Sequence, residues 1–123
     1  MKHQKFSLKK RIKSFKYALN GLRILLREES NSWIHLIVSI CVLAAGFVFK
    51  ISIAEWIIVI FCIGFVFVLE LINTSIENIA DFVTQEYHNS IKKTKDLAAG
   101  AVLVGAIVAA VIGLIIFIPK IIC

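Results

Sequence analysis

Three stretches of the chain carry no Asp, Glu, Lys or Arg: Trp33 to Phe49, Trp56 to Leu69, and Leu97 to Ile118, the last of 22 residues. A helix needs roughly 20 apolar residues to cross the hydrocarbon core of a bilayer, so the pattern predicts membrane spans near residues 33–50, 54–80 and 97–118. Ahead of them lies a segment of different rhythm. Leu8, Ile12, Phe15, Leu19, Leu22 and Leu26 recur at intervals of four and three residues, which draws one apolar stripe along a helix, with lysines and arginines mostly on its other faces. Residues 1–30 are therefore expected to form an amphipathic helix lying in the membrane interface rather than a solvated arm that only fixes topology. The expected fold is an all-α membrane protein of one domain, residues 1–123: a surface helix followed by three transmembrane helices.

Composition agrees with this picture. The 123 residues are 59% hydrophobic, with a mean hydropathy of +0.89, well above the apolar content of ordinary soluble domains. The spans use about half of so short a chain, leaving no room for a separate soluble catalytic domain, so any chemistry sits on the helices and their connections. The first apolar run starts too far along the chain to be read as a cleaved signal. Cys41, Cys62 and Cys123 lie within or at the end of apolar stretches without metal-ligand spacing, and they read as packing residues.

The net charge of +6 points to topology rather than to nucleic acid. Nine of the 14 Lys and Arg residues precede the first span and three more (Lys92, Lys93, Lys95) lie between the second and third. The positive-inside rule then places the N-terminus and the connection near residues 83–95 in the cytoplasm, and the turn at Lys50 to Ala54 with the C-terminus outside.

The second span continues past Leu69 as Glu70-Leu-Ile-Asn73-Thr74-Ser-Ile-Glu77-Asn-Ile-Ala-Asp81 with nothing to break the helix. Glu70, Asn73, Thr74, Glu77 and Asp81 share one face. A carboxylate at the edge of a membrane is expensive, so Glu70 is expected to be functional rather than a merely structural charge. The deeper Glu70 suits a general base and the more hydrated Glu77 suits a divalent cation, Mg2+ in particular, which takes one or two carboxylates together with substrate phosphates. Glu28 or Glu29, at the end of the surface helix, would complete such a site if the segments meet.

Glu86, Tyr87 and His88 follow, then Lys92, Lys93, Lys95 and Asp96 immediately before the third span. Lys92 and Lys93 read as topology anchors. Lys95 and Asp96 are expected beside the start of a helix, where Lys95 would meet a phosphate and Asp96 would either join it or cap the helix. His88 is open to two readings, a nucleotide contact or a solvated loop residue. No P-loop and no dinucleotide-binding glycine motif is present. In the third span Ala101, Gly105, Ala109 and Gly113 recur every fourth residue, a small-residue stripe that favours close approach of another helix and hence a homo-oligomer with sites between subunits.

Glu70-Leu-Ile-Asn-Thr-Ser-Ile-Glu77, Glu86-Tyr-His88 and Lys95-Asp-Leu-Ala-Ala-Gly-Ala-Val102 together resemble the small bacterial integral-membrane lipid kinases, the diacylglycerol kinase and undecaprenol kinase family, along essentially the whole chain. The resemblance implies a homotrimer of the bacterial cytoplasmic membrane that moves the γ-phosphoryl group of Mg-ATP to a lipid hydroxyl at sites shared between subunits. Carried over by motif, Glu70 would accept the hydroxyl proton and contact the lipid, supported by Asn73. Glu29 and Glu77 would hold the metal, and Tyr17, Glu77, Glu86, His88, Lys95 and Asp96 would bind ATP, with Lys10 or Arg11 as a further basic contact. The pattern Glu29-x-Asn31-x-x-x-His35, the run Ala98-Ala-Gly100 and the ending Gly113 to Lys120 resemble the undecaprenol branch more than the diacylglycerol branch. A small proton-coupled transporter, with Glu70 as a relay group, is the alternative from another class. It would have no use for Glu29 or for the Lys95-Asp96 pair.

Overall fold

The computed structural model describes residues 7–83, 86 and 88–122. Tyr87 and Cys123, singled out above, lie outside them, as do the first six residues of the segment expected to form the surface helix. The described chain is helical throughout: α1 (Leu8–Glu28), α2 (Ser30–Val48), α3 (Ile53–Val83) and α4 (Asn89–Ile122). The last three are long and apolar enough to cross a membrane. At 1.5 Å per residue, the 31 residues of α3 reach about 46 Å, longer than the roughly 30 Å hydrocarbon core of a bilayer.

α1 starts at Ser7, whose hydroxyl accepts from the Lys10 N–H, and ends where Glu29 turns extended (φ −109°, ψ 107°). Ser32 and Trp33 close this junction. The Ser32 hydroxyl, fully buried, donates to the carbonyls of Leu25 (3.1 Å) and Glu29 (2.6 Å), while the Trp33 indole N–H donates to the Leu26 carbonyl. Side chains at the start of α2 thus add hydrogen bonds to carbonyls at the end of α1, those of Leu25 and Glu29 also accepting from the backbone N–H groups of Glu29 and Ser32. Leu25, 1% exposed, is the buried anchor of α1. The expected stripe counted Leu26 instead, and its other members, Leu8, Ile12, Phe15, Leu19 and Leu22, are exposed.

The turn between α2 and α3 is built from two interlocking caps. Lys50 takes a left-handed conformation (φ 52°), and the Ile51 N–H returns to the Gly46 carbonyl, closing α2 in a Schellman arrangement with Lys50 in the place usually held by glycine. Ser52 and Glu55 then form a capping box. The Glu55 N–H donates to the Ser52 hydroxyl, and the Ser52 N–H donates to the Glu55 carboxylate. The other oxygen of Glu55 receives Lys120 of α4 at 2.7 Å. Ile51, Val59 and Ile116 form a buried cluster beneath this turn, flanked by Phe49, Trp56 and Phe117.

α4 packs chiefly along α3. Gly105, from the small-residue stripe, lies directly under Leu69, where a Cβ would collide with a leucine methyl. That part of the stripe therefore serves packing within the chain, whereas a Cβ at Gly113 would meet open space. α4 begins at Asn89, so Lys92, Lys93, Lys95 and Asp96 ride on the helix rather than in the connection before it. Asp96 is not an N-cap and Lys95 is not at a helix mouth. The segment Asn89 to Lys95 is too polar to look like a membrane span, yet nothing in it breaks a helix.

At Gly46 an added Cβ would fall 2.6 Å from the Trp56 ring, a rigid neighbour, whereas the Leu69 methyl at Gly105 can rotate away. Gly46→Ala is expected to destabilise the protein by about 1–3 kcal/mol and Gly105→Ala by less. Thermal unfolding in detergent checks the order.

Candidate active site

The polar face of α3 is buried where it meets α1 and α2. Glu70 is 2% exposed, and Asn73 and Thr74 beside it are buried as well. A carboxylate removed from water needs a hydrogen-bonding partner. Glu70 finds it in His35 of α2, whose Nε2 stands 2.9 Å from one carboxylate oxygen. The sequence reading used His35 only as part of a pattern, although an ionisable side chain inside an apolar run was itself the signal that it should have a partner. Asn73 follows Glu70 by one turn on the same face, but among the described residues its Oδ1 has no hydrogen-bond partner, and neither has the Thr74 hydroxyl. A buried amide oxygen and a buried hydroxyl without partners, each worth about 1–3 kcal/mol of lost solvation, mark this as a place where a ligand's polar group would be welcome.

Two turns from Glu70, Glu77 meets Glu29. The Glu29 carboxyl lies within hydrogen-bond reach of that of Glu77, with the Glu28 carboxylate acting on it only through its charge. Burial, and then the neighbouring Glu77, Glu70 and Glu28 carboxylates, push the Glu29 carboxyl above the usual carboxylate range. Among the described residues no group of three or more His, Cys, Asp or Glu side chains converges as a ready metal site. What Glu29 and Glu77 provide is two hard oxygen donors side by side, a donor set that fits Mg2+ completed by phosphate and water.

Lys95 and Asp96 point to different neighbours. Lys95 pairs with Asp81 of α3 and lies within electrostatic reach of Glu77. Asp96 pairs with Lys92 one turn back on α4 and, with Lys93, lines the polar end of an open groove whose walls include Phe65, Leu69 and Gly100. The Nδ1 of His88 accepts from the Ser90 N–H, so the residue caps α4, and a neutral ring would then carry its proton on Nε2. Glu86 is exposed in the connection before α4. Tyr17 is exposed on α1. The structure thus gathers Glu29, Glu70, Asn73 and Glu77, with Lys95 at their border, and leaves Tyr17, Glu86 and His88 on exposed surfaces.

Buried carboxylates at the end of a membrane bundle occur in more than one kind of protein, and the sequence comparisons decide between them. A sequence model of prokaryotic diacylglycerol kinase matches residues 16–117. The chain belongs to the prokaryotic diacylglycerol kinase family. It is 42% identical over 119 residues, 97% of both chains, to an undecaprenol kinase of Bacillus subtilis. It is 34% identical over 107 residues to a diacylglycerol kinase of Synechocystis, covering 86% of this chain and 61% of that one. A diacylglycerol kinase of Helicobacter pylori is 36% identical over 100 residues, 80% of this chain and 77% of its own. As a member of this family the chain is a membrane-embedded lipid kinase, a phosphotransferase that uses ATP. The transporter reading falls away.

The raised Glu29 carboxyl fixes the sign of a pH effect in this lipid kinase. Its proton is held more tightly in the folded than in the unfolded chain, so its contribution to stability is present while it is protonated and is lost as pH rises through the raised value. Glu29→Gln is expected to raise the melting temperature of the metal-free protein by a few degrees near neutral pH and by much less at about pH 4, where the carboxyl is protonated anyway. Thermal scans with chelator across pH check it.

Proposed function

We propose that the chain transfers the γ-phosphoryl group of Mg-ATP to the hydroxyl of undecaprenol, giving undecaprenyl phosphate. The observation that carries the reading is the Glu70 carboxylate, buried and held by His35, two turns from the convergent pair Glu29 and Glu77. The full-length likeness to an undecaprenol kinase supports this lipid over diacylglycerol, the acceptor named for the other relatives.

In this reading Glu70 is the general base. It takes the proton from the lipid hydroxyl as that oxygen attacks the γ-phosphorus, and ADP leaves from the opposite side. Phosphoryl transfer asks mainly for positioning and for neutralisation of charge on the equatorial oxygens. Glu29 and Glu77 would hold Mg2+, which when bound neutralises phosphate charge. Asn73, buried one turn from Glu70 on the same face, would support Glu70 in this role. Lys95 serves the phosphates once drawn from Asp81, and Asp96 lies on the same helix one position further. Tyr17, Glu86 and His88 would contact the nucleoside. Their exposure in the single chain is in keeping with a nucleotide that arrives from water and with a homotrimer in which a neighbouring subunit completes each site. The basic α1 lies on the cytoplasmic face of a bacterial inner membrane, with the Lys50 turn and the C-terminus outside.

The test is transfer from labelled ATP with Mg2+ to undecaprenol and to diacylglycerol, side by side in one detergent. Undecaprenol is expected to turn over faster. Glu70→Gln is expected to cut kcat by about 10²–10⁴-fold with the oligomer intact, and retained turnover would remove Glu70 from the role of base. Glu77→Gln should lower kcat/KM by about 100-fold or more and weaken the response to Mg2+.

A further inference from the structure

Among the described residues the Glu70 side chain makes a single ion pair or hydrogen bond, to His35, whose Nε2 stands 2.9 Å from Oε1. The other charges nearby do not compete for it. Glu29 reaches Glu70 only as a like charge, and Lys95 of α4 is drawn to Asp81. The ring is also delivered by a well-held element. Ser32 and Trp33, one turn before His35, tie the start of α2 to α1, and the His35 carbonyl receives the Ser39 hydroxyl at 2.6 Å. These contacts owe nothing to Glu70, so His35 is placed first and the carboxylate conforms to it.

The chemistry of the contact fixes its direction. A carboxylate that acts as a base must be ionised, and an ionised carboxylate only accepts hydrogen bonds. Nε2 therefore carries the hydrogen between the two groups. A carboxyl group turns about its last bond with little resistance, so without a partner its oxygens would be interchangeable and its plane undefined. A donor held on Oε1 sets that plane and leaves Oε2 as the oxygen that can take a proton. Lysine or arginine in the same place would also donate, but would bring a permanent cation against the base. Imidazole can donate while neutral.

We propose that His35 is a positioning residue of the phosphoryl transfer, its Nε2–H holding Oε1 of Glu70 so that Oε2 meets the lipid hydroxyl. This rests on the reading of Glu70 as the base and deepens it. In the step, the hydroxyl O–H bond breaks as an Oε2–H bond forms, the lipid oxygen bonds to the γ-phosphorus, and ADP leaves with the electrons of the broken P–O bond. His35 keeps its own proton throughout. The competing role is structural, with the ring serving only to satisfy a carboxylate that is buried.

Side-chain amides separate the two roles. The nitrogen of Gln stands as far along its side chain as Nε2, that of Asn only as far as Nδ1, so Gln alone can restore the bond. With the full chain in detergent, Mg-ATP and undecaprenol, His35→Asn and His35→Leu are expected to lose about 100-fold in kcat with KM for ATP within about 3-fold of wild type, whereas His35→Gln stays within about 5-fold in kcat. In a Glu70→Gln background His35→Asn should add less than about 3-fold to the loss already present, because nothing is left to position. Nitrogen NMR of the histidine rings, with the His35 signals assigned by their loss in His35→Gln, should show hydrogen on Nε2 in the wild type and mixed tautomers in Glu70→Gln. Equal losses with Asn and Gln, additive losses in the double variant, mixed tautomers in the wild type, or losses that track unfolding would make His35 a packing residue and overturn the proposal while Glu70 stays the base. Turnover indifferent to Glu70→Gln would instead remove the base reading, and a tautomer still fixed by Glu70 would then leave the pair as a structural contact.

Discussion

The buried carboxylate of Glu70 is the constraint to which the rest of the site end answers. At 2% exposure it cannot rely on water, and a partner must be brought to it by another helix. That partner, His35, fixes the register of α2 against α3. The same register has a second consequence, because Glu29 precedes His35 by six residues and Glu77 follows Glu70 by seven. Two antiparallel segments that align one pair align the other, so the convergence of Glu29 and Glu77 follows from satisfying Glu70 once α1 is joined to α2 as it is. The join is made by Ser32 and Trp33, which bind carbonyls of Leu25, Leu26 and Glu29.

The site end is accordingly a region of concentrated electrostatic and hydrogen-bonding debt. Like charges crowd at Glu29 and Glu77, and the Asn73 Oδ1 and Thr74 hydroxyl are buried without partners among the described residues. Such features lower stability, and proteins tend to retain them where function requires them. The other end is the opposite: its caps interlock, its apolar cluster is closed, and Glu55 and Lys120 are paired. The stable end carries the fold and the unstable end carries the chemistry.

Much of this was legible along the chain. Apolar runs of membrane length gave the three long helices, and the spacing from Glu70 to Asp81 gave one polar face, because helical periodicity survives without any knowledge of neighbours. The start of α4 was missed, since hydropathy reports where a span lies in lipid and says nothing of a polar helix that precedes it. Of the two readings that spacing offered for Asp96, the cap is therefore excluded, and the residue is an intrahelical partner of Lys92. The contacts His35–Glu70 and Glu29–Glu77 join residues 35 and 48 positions apart, and no local pattern carries such a distance. Ser52-Ile-Ala-Glu55 is a different case. It is a capping box that spacing alone displays, and it passed unnoticed inside an apolar surrounding.

The clasp between Glu55 and Lys120, with Phe49 set edge-on to Phe117 above it, has a mechanical meaning. It ties the far end of α4 to the start of α3 beside the turn that already joins α3 to α2. Three rods tied together at one end behave like tongs: whatever spreading the bundle undergoes grows with distance from the tie and is greatest at the opposite tips. Those tips carry Glu29, Glu77 and Lys95, so breathing motions that elsewhere would loosen a protein are here directed to the one place where substrates must enter and products must leave.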